Sequence, residues 1–376
     1  MKIYDIVLFG ATGFTGKLIA KYLAENGSQE NIHWAIAGRD FEKLQTLQSN
    51  LVGLKPEIVV ADIKNYESLS LMASSTHVLM NTVGPFNWYG YDVIKACVEN
   101  HTHYLDITGE PLFVNKIYDL YKDRAQENQC TIVNCCGFDS IPAEFATWMT
   151  VRKMNANDPK TILTFIRTNA SFSGGTLTTA INALYEQSKG NTSGSRYKKH
   201  PNAPKHALKL HFSKLINGWA IPMPVVDPHI VKRSAATLSD DYGPFAYGQY
   251  FVRSSFWKVL GTIFPIGMAA LLVRFEWFRK RMYKKYHSGS GPTEEKRNSS
   301  KFEVKAIGIS QNEKVETVFS GGDPGYNETA KMFSEAAFCI VAKSRNHQLE
   351  YGVLTPVQAF GLLLVERLRK KGIRID

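Results

Sequence analysis

Apolar residues in the first third of the chain form short strand-like runs that alternate with longer segments of helical period. Such alternation is typical of β-α-β units around a parallel sheet. We therefore predict a Rossmann-type, doubly wound α/β domain over residues 1–140. The predicted strands are Ile3–Phe9, His33–Ala37, Glu57–Ala61, His77–Thr82, Tyr104–Ile107 and Thr131–Cys136. The predicted helices are Thr15–Ala24, Phe41–Leu51, Tyr66–Ser74, Tyr91–Asn100 and Val114–Glu127.

The pattern changes after residue 140, and we predict a second domain over residues 141–350. Its predicted strands are Thr161–Arg167, Phe302–Ile309 and Val315–Phe319. Residues 351–376 form a third segment, a helix with Thr355 at the N-cap, Pro356 at the first position and Gln358 completing a capping box. We expect this helix to dock on the first domain.

Composition narrows the class of protein. The 376 residues are 44% hydrophobic and 21% charged, which suits two folded domains and excludes wholesale disorder. Five cysteines without a paired CxxC motif predict a reducing compartment and no structural metal site. The amino terminus leads directly into a strand and does not resemble a signal peptide.

The strongest chemical signal is a glycine-rich turn between the first strand and the first helix. Glycines there permit a tight turn and a close approach of backbone to a pyrophosphate at the helix amino terminus. The alternative is a glycine-rich turn that binds nothing. We predict dinucleotide binding by Gly10, Ala11, Thr12, Gly13, Phe14, Thr15 and Gly16.

The end of the second strand selects the nucleotide. Arg39 comes first there and favours a 2′-phosphate, so we predict NADP rather than NAD. The alternative is a solvated Arg39, with Asp40 binding a ribose or capping the next helix. Asp62, after the third strand, is a candidate contact to adenine or the N-cap of a turn. Val83, Gly84 and Pro85 follow the fourth strand, and we expect them beside the nicotinamide end.

These motifs together resemble the saccharopine dehydrogenase-like oxidoreductases, and within them the branch of trans-acting enoyl reductases. The resemblance runs from Gly10 to Leu368 and includes GATGFTG, AGRD, NTVGPFNWYG, YLDITGE, NCCGFDSIP, SGGT, DPGY and GVLTPVQAFG. It implies a Rossmann domain, a mixed α+β second domain and a C-terminal helix that rejoins the first. It also implies nicotinamide-dependent reduction, of lipid-like enoyl substrates in one branch and of an amino-acid imine in the other.

Reduction of an activated double bond requires a proton donor as well as a hydride. Tyr89, Asp139 and Ser140 are the candidate donors, although Asp139 or Ser140 is an equally good candidate for the cap of the next helix. Candidate substrate contacts are Asp106, Gly174, Gly175 and Thr176. For the glycines, an ordinary turn at a helix start is the alternative.

The formal net charge of +11 is compatible with nucleic acid, an anionic membrane or an anionic substrate. No zinc finger, RNP-like sequence or basic heptad is present, so we predict no nucleic-acid partner. The uncharged segment Val259–Val273 is either a buried helix or an interfacial element, because it is too short to predict a membrane span. Five basic residues follow this segment and favour contact with anionic lipid, namely Arg279, Lys280, Arg281, Lys284 and Lys285.

We accordingly predict a cytoplasmic NADPH-dependent reductase of a hydrophobic, enoyl-type substrate. We also expect peripheral contact with a membrane, and the chain is compatible with an oligomer. One alternative is a saccharopine-type imine reductase, for which Arg152, Arg167 and Arg233 are available but not grouped in sequence. The other is a lipid-surface protein whose nucleotide-binding domain has no catalytic role.

Overall fold

The computed structural model describes residues 2–170, 181–182, 184–186, 188–190, 200–223, 225–285 and 291–376. The described strands are β1 (Tyr4–Phe9), β2 (Trp34–Gly38), β3 (Glu57–Val60), β4 (Thr76–Asn81), β5 (His103–Asp106), β6 (Thr131–Val133), β7 (Lys160–Thr168), β8 (His211–Ser213), β9 (Gly218–Pro222), β10 (Phe245–Arg253), β11 (Phe302–Ile309), β12 (Lys314–Gly321), β13 (Gly352–Leu354) and β14 (Arg374–Ile375).

The described helices connect these strands along the chain. Their bounds are α1 (Phe14–Asn26), α2 (Phe41–Asn50), α3 (Tyr66–Ser74), α4 (Phe86–Glu99), α5 (Pro111–Glu127), α6 (Ile141–Arg152), α7 (Asp227–Thr237), α8 (Ser239–Tyr242), α9 (Phe256–Leu272), α10 (Glu276–Lys285), α11 (Glu294–Asn298), α12 (Asn327–Arg345) and α13 (Pro356–Lys370).

The chain divides into two compact units that differ from the predicted domains. The first unit contains Met1–Phe138, Ser288–Gly291 and Gly325–Lys371. The second contains Asp139–His287, Pro292–Pro324 and Gly372–Asp376. The chain therefore returns to the first unit at Gly325, earlier than the predicted boundary at residue 350.

The first unit is built on a seven-stranded sheet in the order β3-β2-β1-β4-β5-β6-β13. All its neighbouring strands are parallel. The order reverses between β1 and β4, and ligands of open α/β sheets bind at the carboxyl ends of strands beside such a reversal. The predicted Rossmann-type sheet is thus confirmed.

Helix α12 belongs to the first unit, which corrects its predicted place in the second domain. It packs against α1 and α13. The Glu335 carboxylate of α12 accepts a hydrogen bond from the Tyr22 hydroxyl at 2.6 Å and one from Arg367 Nε at 2.6 Å. Because these partners lie on α1 and α13, the buried carboxylate ties three helices together.

The C-terminal helix begins as predicted but does not continue unbroken. Thr355 and Gln358 form the capping box. Gly361, with a φ of 53° and a ψ of −145°, interrupts the helical backbone. A residue with this positive φ is strained unless it is glycine, so the segment consists of two helical pieces joined at Gly361.

The second unit is built on a mixed seven-stranded sheet in the order β14-β12-β11-β7-β10-β9-β8. Strands β7 and β10 pair in parallel, whereas β11 pairs antiparallel with both β7 and β12. Helix α6 packs on β11 and β12 and is buried over most of its length. This sheet confirms the predicted second domain of mixed architecture.

Candidate functional site

The turn between β1 and α1 uses its glycines for different steric reasons. Gly10 has a φ of +86°, and a Cβ there would lie 2.5 Å from Thr82 Oγ1. A Cβ on Gly16 would lie 2.3 Å from the Gly10 carbonyl oxygen. Gly10 therefore permits contact between the turn and the end of β4, and Gly16 permits close packing of α1 on the turn.

Of the three glycines in this turn, Gly13 is the one at which the fold itself least requires glycine. It occupies the N-cap position of α1 with a φ of −69° and a ψ of 168°, which any residue adopts. A Cβ there would lie 3.2 Å from the Gly10 carbonyl oxygen, a tight but tolerable distance. Because the backbone conformation does not require glycine here, the missing side chain at Gly13 is better explained by the close approach of a ligand.

The amino end of α1 has the features of a phosphate site. Its N-cap residue, Gly13, has no side chain to cap this end, and no acidic residue lies in the first turn. The backbone N–H groups of a first helical turn have no intrahelical acceptor, and the helix dipole favours an anion there. These residues fit the pyrophosphate of a dinucleotide.

At the end of β2, the two candidate residues have different roles. Asp40 caps α2 by accepting a hydrogen bond from Lys43 N, and its carboxylate lies 2.9 Å from Lys43 Nζ. Arg39 is exposed, and its guanidinium makes no hydrogen bond or ion pair within the described ranges. The structure thus supports the capping alternative for Asp40 and leaves Arg39 available to a ligand.

Asp62 stabilises the turn that follows β3. Its Oδ1 accepts a hydrogen bond from Lys64 N at 3.0 Å, and its backbone N–H donates to Ser68 Oγ at 3.0 Å. Its side chain is half-buried. This geometry favours the interpretation as a turn cap, and contact with adenine stays a prediction.

The end of β4 is held in place by a carboxylate that the sequence analysis did not assign. Val83 N donates to Asn81 Oδ1, and Pro85 is the N-cap of α4. The two oxygens of Glu110 accept hydrogen bonds from Phe86 N at 2.8 Å and Asn87 N at 3.0 Å. Glu110 therefore caps α4 and fixes the loop that contains Val83, Gly84 and Pro85, and burial raises its pKa.

Asp106 is a structural carboxylate, contrary to the prediction of substrate contact. It is fully buried and accepts hydrogen bonds from Thr108 N at 3.1 Å, Cys135 N at 3.0 Å and Asn134 Nδ2 at 2.7 Å. Burial raises its pKa to about 6 in spite of these donors. Because no part of Asp106 reaches solvent, its role is to hold the end of β5 against the loop after β6.

The remaining candidate of the first unit is Tyr89 on α4. Its side chain is 37% exposed, and its ring packs edge-on against Trp88. Cys135 and Cys136 are fully buried, which agrees with packing rather than nucleophilic roles. Tyr89 is thus an accessible hydroxyl on this unit.

Asp139 and Ser140 begin the second unit. Ser140 occupies the N-cap position of α6 but makes no capping hydrogen bond, and its buried Oγ has no partner in the described part of the chain. Asp139 keeps solvent-exposed surface, yet desolvation by the surrounding protein raises its pKa to about 6. A carboxyl with this pKa is suited to proton donation near neutral pH.

The buried acids Asp227 and Glu144 interact with each other, and Asp227 in turn feels the charge of Asp139; the sequence analysis missed both acids. Burial, and then the charge of Asp139, raise the pKa of Asp227, whose Oδ2 accepts a hydrogen bond from Gln249 Nε2 at 2.5 Å. The carboxylate of Glu144 accepts one from Ser234 Oγ. The available sequence signal was an isolated acid in the apolar stretch Ile141–Met149, but such an acid alone does not reveal its partners.

The other predicted contacts of the second unit do not form a site in the described residues. Gly174, Gly175 and Thr176 lie outside those residues. Arg152 stacks over the Trp148 ring, whereas Arg167 lies 3.6 Å from the Glu303 carboxylate. Arg233 is buried on α7. The three arginines are thus engaged separately.

Comparison with known proteins identifies the family. Residues 6–133 match the Saccharopine dehydrogenase NADP binding domain. A protein from Bos taurus named "Saccharopine dehydrogenase-like oxidoreductase" is 30% identical, over 99% of this chain and 97% of the relative. The chain belongs to the saccharopine dehydrogenase-like oxidoreductases.

Two further relatives of this oxidoreductase are informative. A Mycobacterium tuberculosis protein named "Putative trans-acting enoyl reductase" is 29% identical over 99% of this chain and 97% of the relative. A Caenorhabditis elegans "Lipid droplet localized protein" is 28% identical over 96% and 95%. Apo saccharopine dehydrogenase from Saccharomyces cerevisiae has a similar fold, with a TM-score of 0.59 and 10% identity over 99% of both chains.

The family match and the geometry agree on the class of cofactor. The uncapped α1 and its glycine turn lie within the matched domain, so this unit is a nicotinamide-nucleotide-binding domain. Among the described residues, no three His, Cys, Asp or Glu side chains cluster as a metal site. No described helix is long and apolar enough to cross a bilayer.

Proposed function

We propose that this oxidoreductase uses NADPH to reduce a carbon–carbon double bond conjugated to a carbonyl in a hydrophobic substrate. The observation that carries the choice of NADPH is the exposed Arg39, which has no ion-pair partner in the described chain, at the end of β2 beside the glycine turn. In the net reaction, an enoyl compound, NADPH and a proton give the saturated compound and NADP⁺.

The cofactor would be held by backbone and one guanidinium. The amino end of α1 would bind the pyrophosphate, and Arg39 would bind the 2′-phosphate through paired N–H groups. The Asp40 carboxylate is not expected to bind the ribose, because it already caps α2 and pairs with Lys43. NADPH bound in this way would supply the hydride.

Asp139 is the best supported proton donor of the three candidates. Asp139 is exposed as a residue, and desolvation raises the pKa of its carboxyl to about 6, whereas Ser140 is fully buried. Tyr89 is exposed, but nothing adjacent to it resembles a proton relay. In this role the Asp139 carboxyl would protonate the carbon next to the carbonyl, or the enolate oxygen, after hydride transfer.

The proposed substrate class rests on the relative named as a trans-acting enoyl reductase, supported by the one named for lipid droplets. The imine alternative would require cationic side chains grouped around the carboxylates of an amino acid. In the described residues Arg152, Arg167 and Arg233 have separate environments, which favours the apolar substrate.

The direct test is oxidation of NADPH by the purified protein with enoyl thioesters and enoyl esters of increasing chain length. We expect steady turnover that increases with acyl length, and much slower turnover with NADH. Turnover of lysine-derived imines alone would support the saccharopine-type alternative. NADPH binding without turnover of either class would support a non-catalytic domain.

The pH profile tests the donor. If protonated Asp139 is required, kcat/KM should be constant below about pH 6 and fall tenfold per pH unit above it, because the raised pKa sets the loss of the acid. Asp139→Asn should lower kcat at least a hundredfold and remove this dependence. Tyr89→Phe and Ser140→Ala test the other two donors, and an unchanged profile in Asp139→Asn would exclude Asp139.

A further inference from the structure

Helix α9 is apolar but lies on the surface. Of its seventeen residues, all of them described, Val259 alone is buried. Trp257 is 80% exposed, Phe264 69% and Leu271 66%. A run of large apolar side chains on one exposed helix indicates an interaction surface.

The helix is held on the second unit through its amino-terminal part. Ser255 caps its amino end, the Phe256 ring packs 5.2 Å from the Trp219 ring, and Arg253 Nε donates to Thr262 Oγ1 at 3.0 Å. The exposed apolar side chains are therefore presented by a supported helix.

A basic cavity adjoins the same helix. Its volume is about 690 Å³, and it lies at strands of the second sheet. Lys258 belongs to both α9 and the cavity, and Arg253 lines the cavity while donating to Thr262 of α9. The charged side chains of its lining are Arg167, Arg253, Lys258, Lys301, Arg374 and the single acid Glu303.

The cavity keeps positive charge after its internal pairs are considered. Arg167 pairs with Glu303, and Arg374 pairs with Asp376. Lys258 Nζ donates to the neutral Ser254 hydroxyl at 3.1 Å. Lys301 Nζ has no partner within the described ranges, so Arg253, Lys258 and Lys301 are not paired with acids. Such a set favours a phosphate group.

Helix α10, which follows α9 in the chain, carries further basic residues, although their pairing differs. Arg279 Nη1 donates to the carbonyls of Val273 and Arg274, and Lys280 pairs with Glu276 at 2.8 Å. Arg281 and Lys284 are exposed and have no such partner in the described chain. The apolar helix thus has cationic neighbours both before and after it.

We propose that α9 lies in the interface of a phospholipid surface and that the adjoining cavity takes the phosphate headgroup of an anionic phospholipid. A phospholipid presents phosphate directly beside hydrocarbon, which matches a cationic cavity that shares Lys258 with an apolar helix. At 1.5 Å per residue the helix is about 25 Å long, and it lies along the surface with its apolar side chains inserted.

Vesicle flotation of the full chain tests this directly. The probes are vesicles of phosphatidylcholine alone and vesicles that also contain phosphatidic acid. We expect wild type to float with both and to prefer the anionic vesicles. A variant with Trp257→Ser, Phe264→Ser and Leu271→Ser should lose flotation with both, because the inserted side chains are gone.

A second variant distinguishes binding of a headgroup in the cavity from general electrostatic attraction to an anionic surface. Lys258→Gln with Lys301→Gln should lower the partition coefficient to anionic vesicles by about fivefold per residue, since each basic residue near the surface contributes about 1 kcal/mol. Lys21→Gln with Lys370→Gln removes the same charge from the first unit and should change partition little. Unchanged circular dichroism and NADPH affinity verify folding of each variant.

Several outcomes would overturn the proposal. Wild type that never floats would exclude the lipid surface. Equal partition of the cavity and control variants would exclude the headgroup site, and tight binding of glycerol phosphate by wild type without flotation would assign the cavity to a free phosphate ester. A dimer in light scattering that disappears in the α9 variant, again without flotation, would assign the helix to a second copy of the chain. None of these results depends on reductase activity.

Discussion

At the scale of single residues, Arg39 is the candidate selector of the cofactor. Arg39→Asp should remove the phosphate partner and add repulsion, so the affinity for NADPH should fall by about 10- to 150-fold, as expected for a lost hydrogen bond to a charged group of roughly 1.5–3 kcal/mol. Affinity for NADH should change little, because NADH has no 2′-phosphate. Fluorescence titration with both nucleotides measures the two dissociation constants.

Arg39→Lys is the matched control. It keeps the positive charge but loses the planar pair of donors, so NADPH affinity should lie between those of wild type and Arg39→Asp. Equal losses for NADPH and NADH in Arg39→Asp would show that the residue supports the site without selecting the nucleotide.

The sequence predicted single residues well where their chemistry depends on neighbours along the chain. Thr355 and Gln358 form the predicted capping box because the two positions are three residues apart. Asp106 and Glu110 could not be assigned in this way, since all their donors except Thr108 N come from residues 23–29 positions away in the chain. A carboxylate after a strand can cap another element as readily as it can bind a ligand.

At the scale of elements, the β1–α1 turn contains glycines that the fold requires and one, Gly13, that we expect the nucleotide to require. Gly13→Val should leave the fold intact, because its backbone conformation suits any residue and the nearest atom to a Cβ is 3.2 Å away. The added side chain should instead block the pyrophosphate and lower NADPH affinity by at least tenfold. Thermal unfolding and NADPH titration measure the two effects independently.

Gly16→Val provides the comparison for that prediction. Its Cβ would lie 2.3 Å from a backbone oxygen, so it should lower the free energy of unfolding by about 1–3 kcal/mol or more. If Gly13→Val binds NADPH normally, the turn has only a structural role. If it unfolds like Gly16→Val, the absence of a side chain at Gly13 is required by the protein itself.

Periodicity predicted the elements of the parallel sheet but not the environment of α9. The alternating strands and helices of residues 1–138 leave a clear pattern, because a strand buried on both faces is uniformly apolar and its helices are amphipathic. Val259–Val273 is apolar all round, so its pattern is the same for a buried helix and an exposed one. Because α9 is exposed, the interpretation of this segment as a buried helix is wrong for this chain. We propose a phospholipid surface as its partner.

At the scale of the whole molecule, hydrophobic periodicity could not predict which segments of the chain belong to which unit. Helix α12 is buried over most of its length, and its buried Glu335 pairs with Tyr22 and Arg367, residues over 300 positions apart in the chain. Periodicity shows that a helix has a buried face and does not identify the unit that covers it. The predicted boundary at residue 350 was therefore too late, whereas the two fold types were correct.

The same division places the last residues of the chain in the second unit, and this has a measurable consequence. Ile375 on β14 is buried and pairs with Phe319 on β12. Ile375→Ala should lower the free energy of unfolding of that unit by about 2–5 kcal/mol, through lost burial and a residual cavity. NADPH affinity should be unchanged, because the nucleotide-binding residues belong to the first unit. Urea denaturation and nucleotide titration measure the two quantities.

Arg374→Ala is the control on the same strand. Its side chain is 71% exposed, so it should change the free energy of unfolding by no more than about 0.5 kcal/mol. An effect as large as that of Ile375→Ala would mean that pairing of β14, rather than burial of Ile375, stabilises this edge. A parallel loss of NADPH affinity in Ile375→Ala would mean that the nucleotide site depends energetically on the second sheet, so that the two units do not act as independent folding domains.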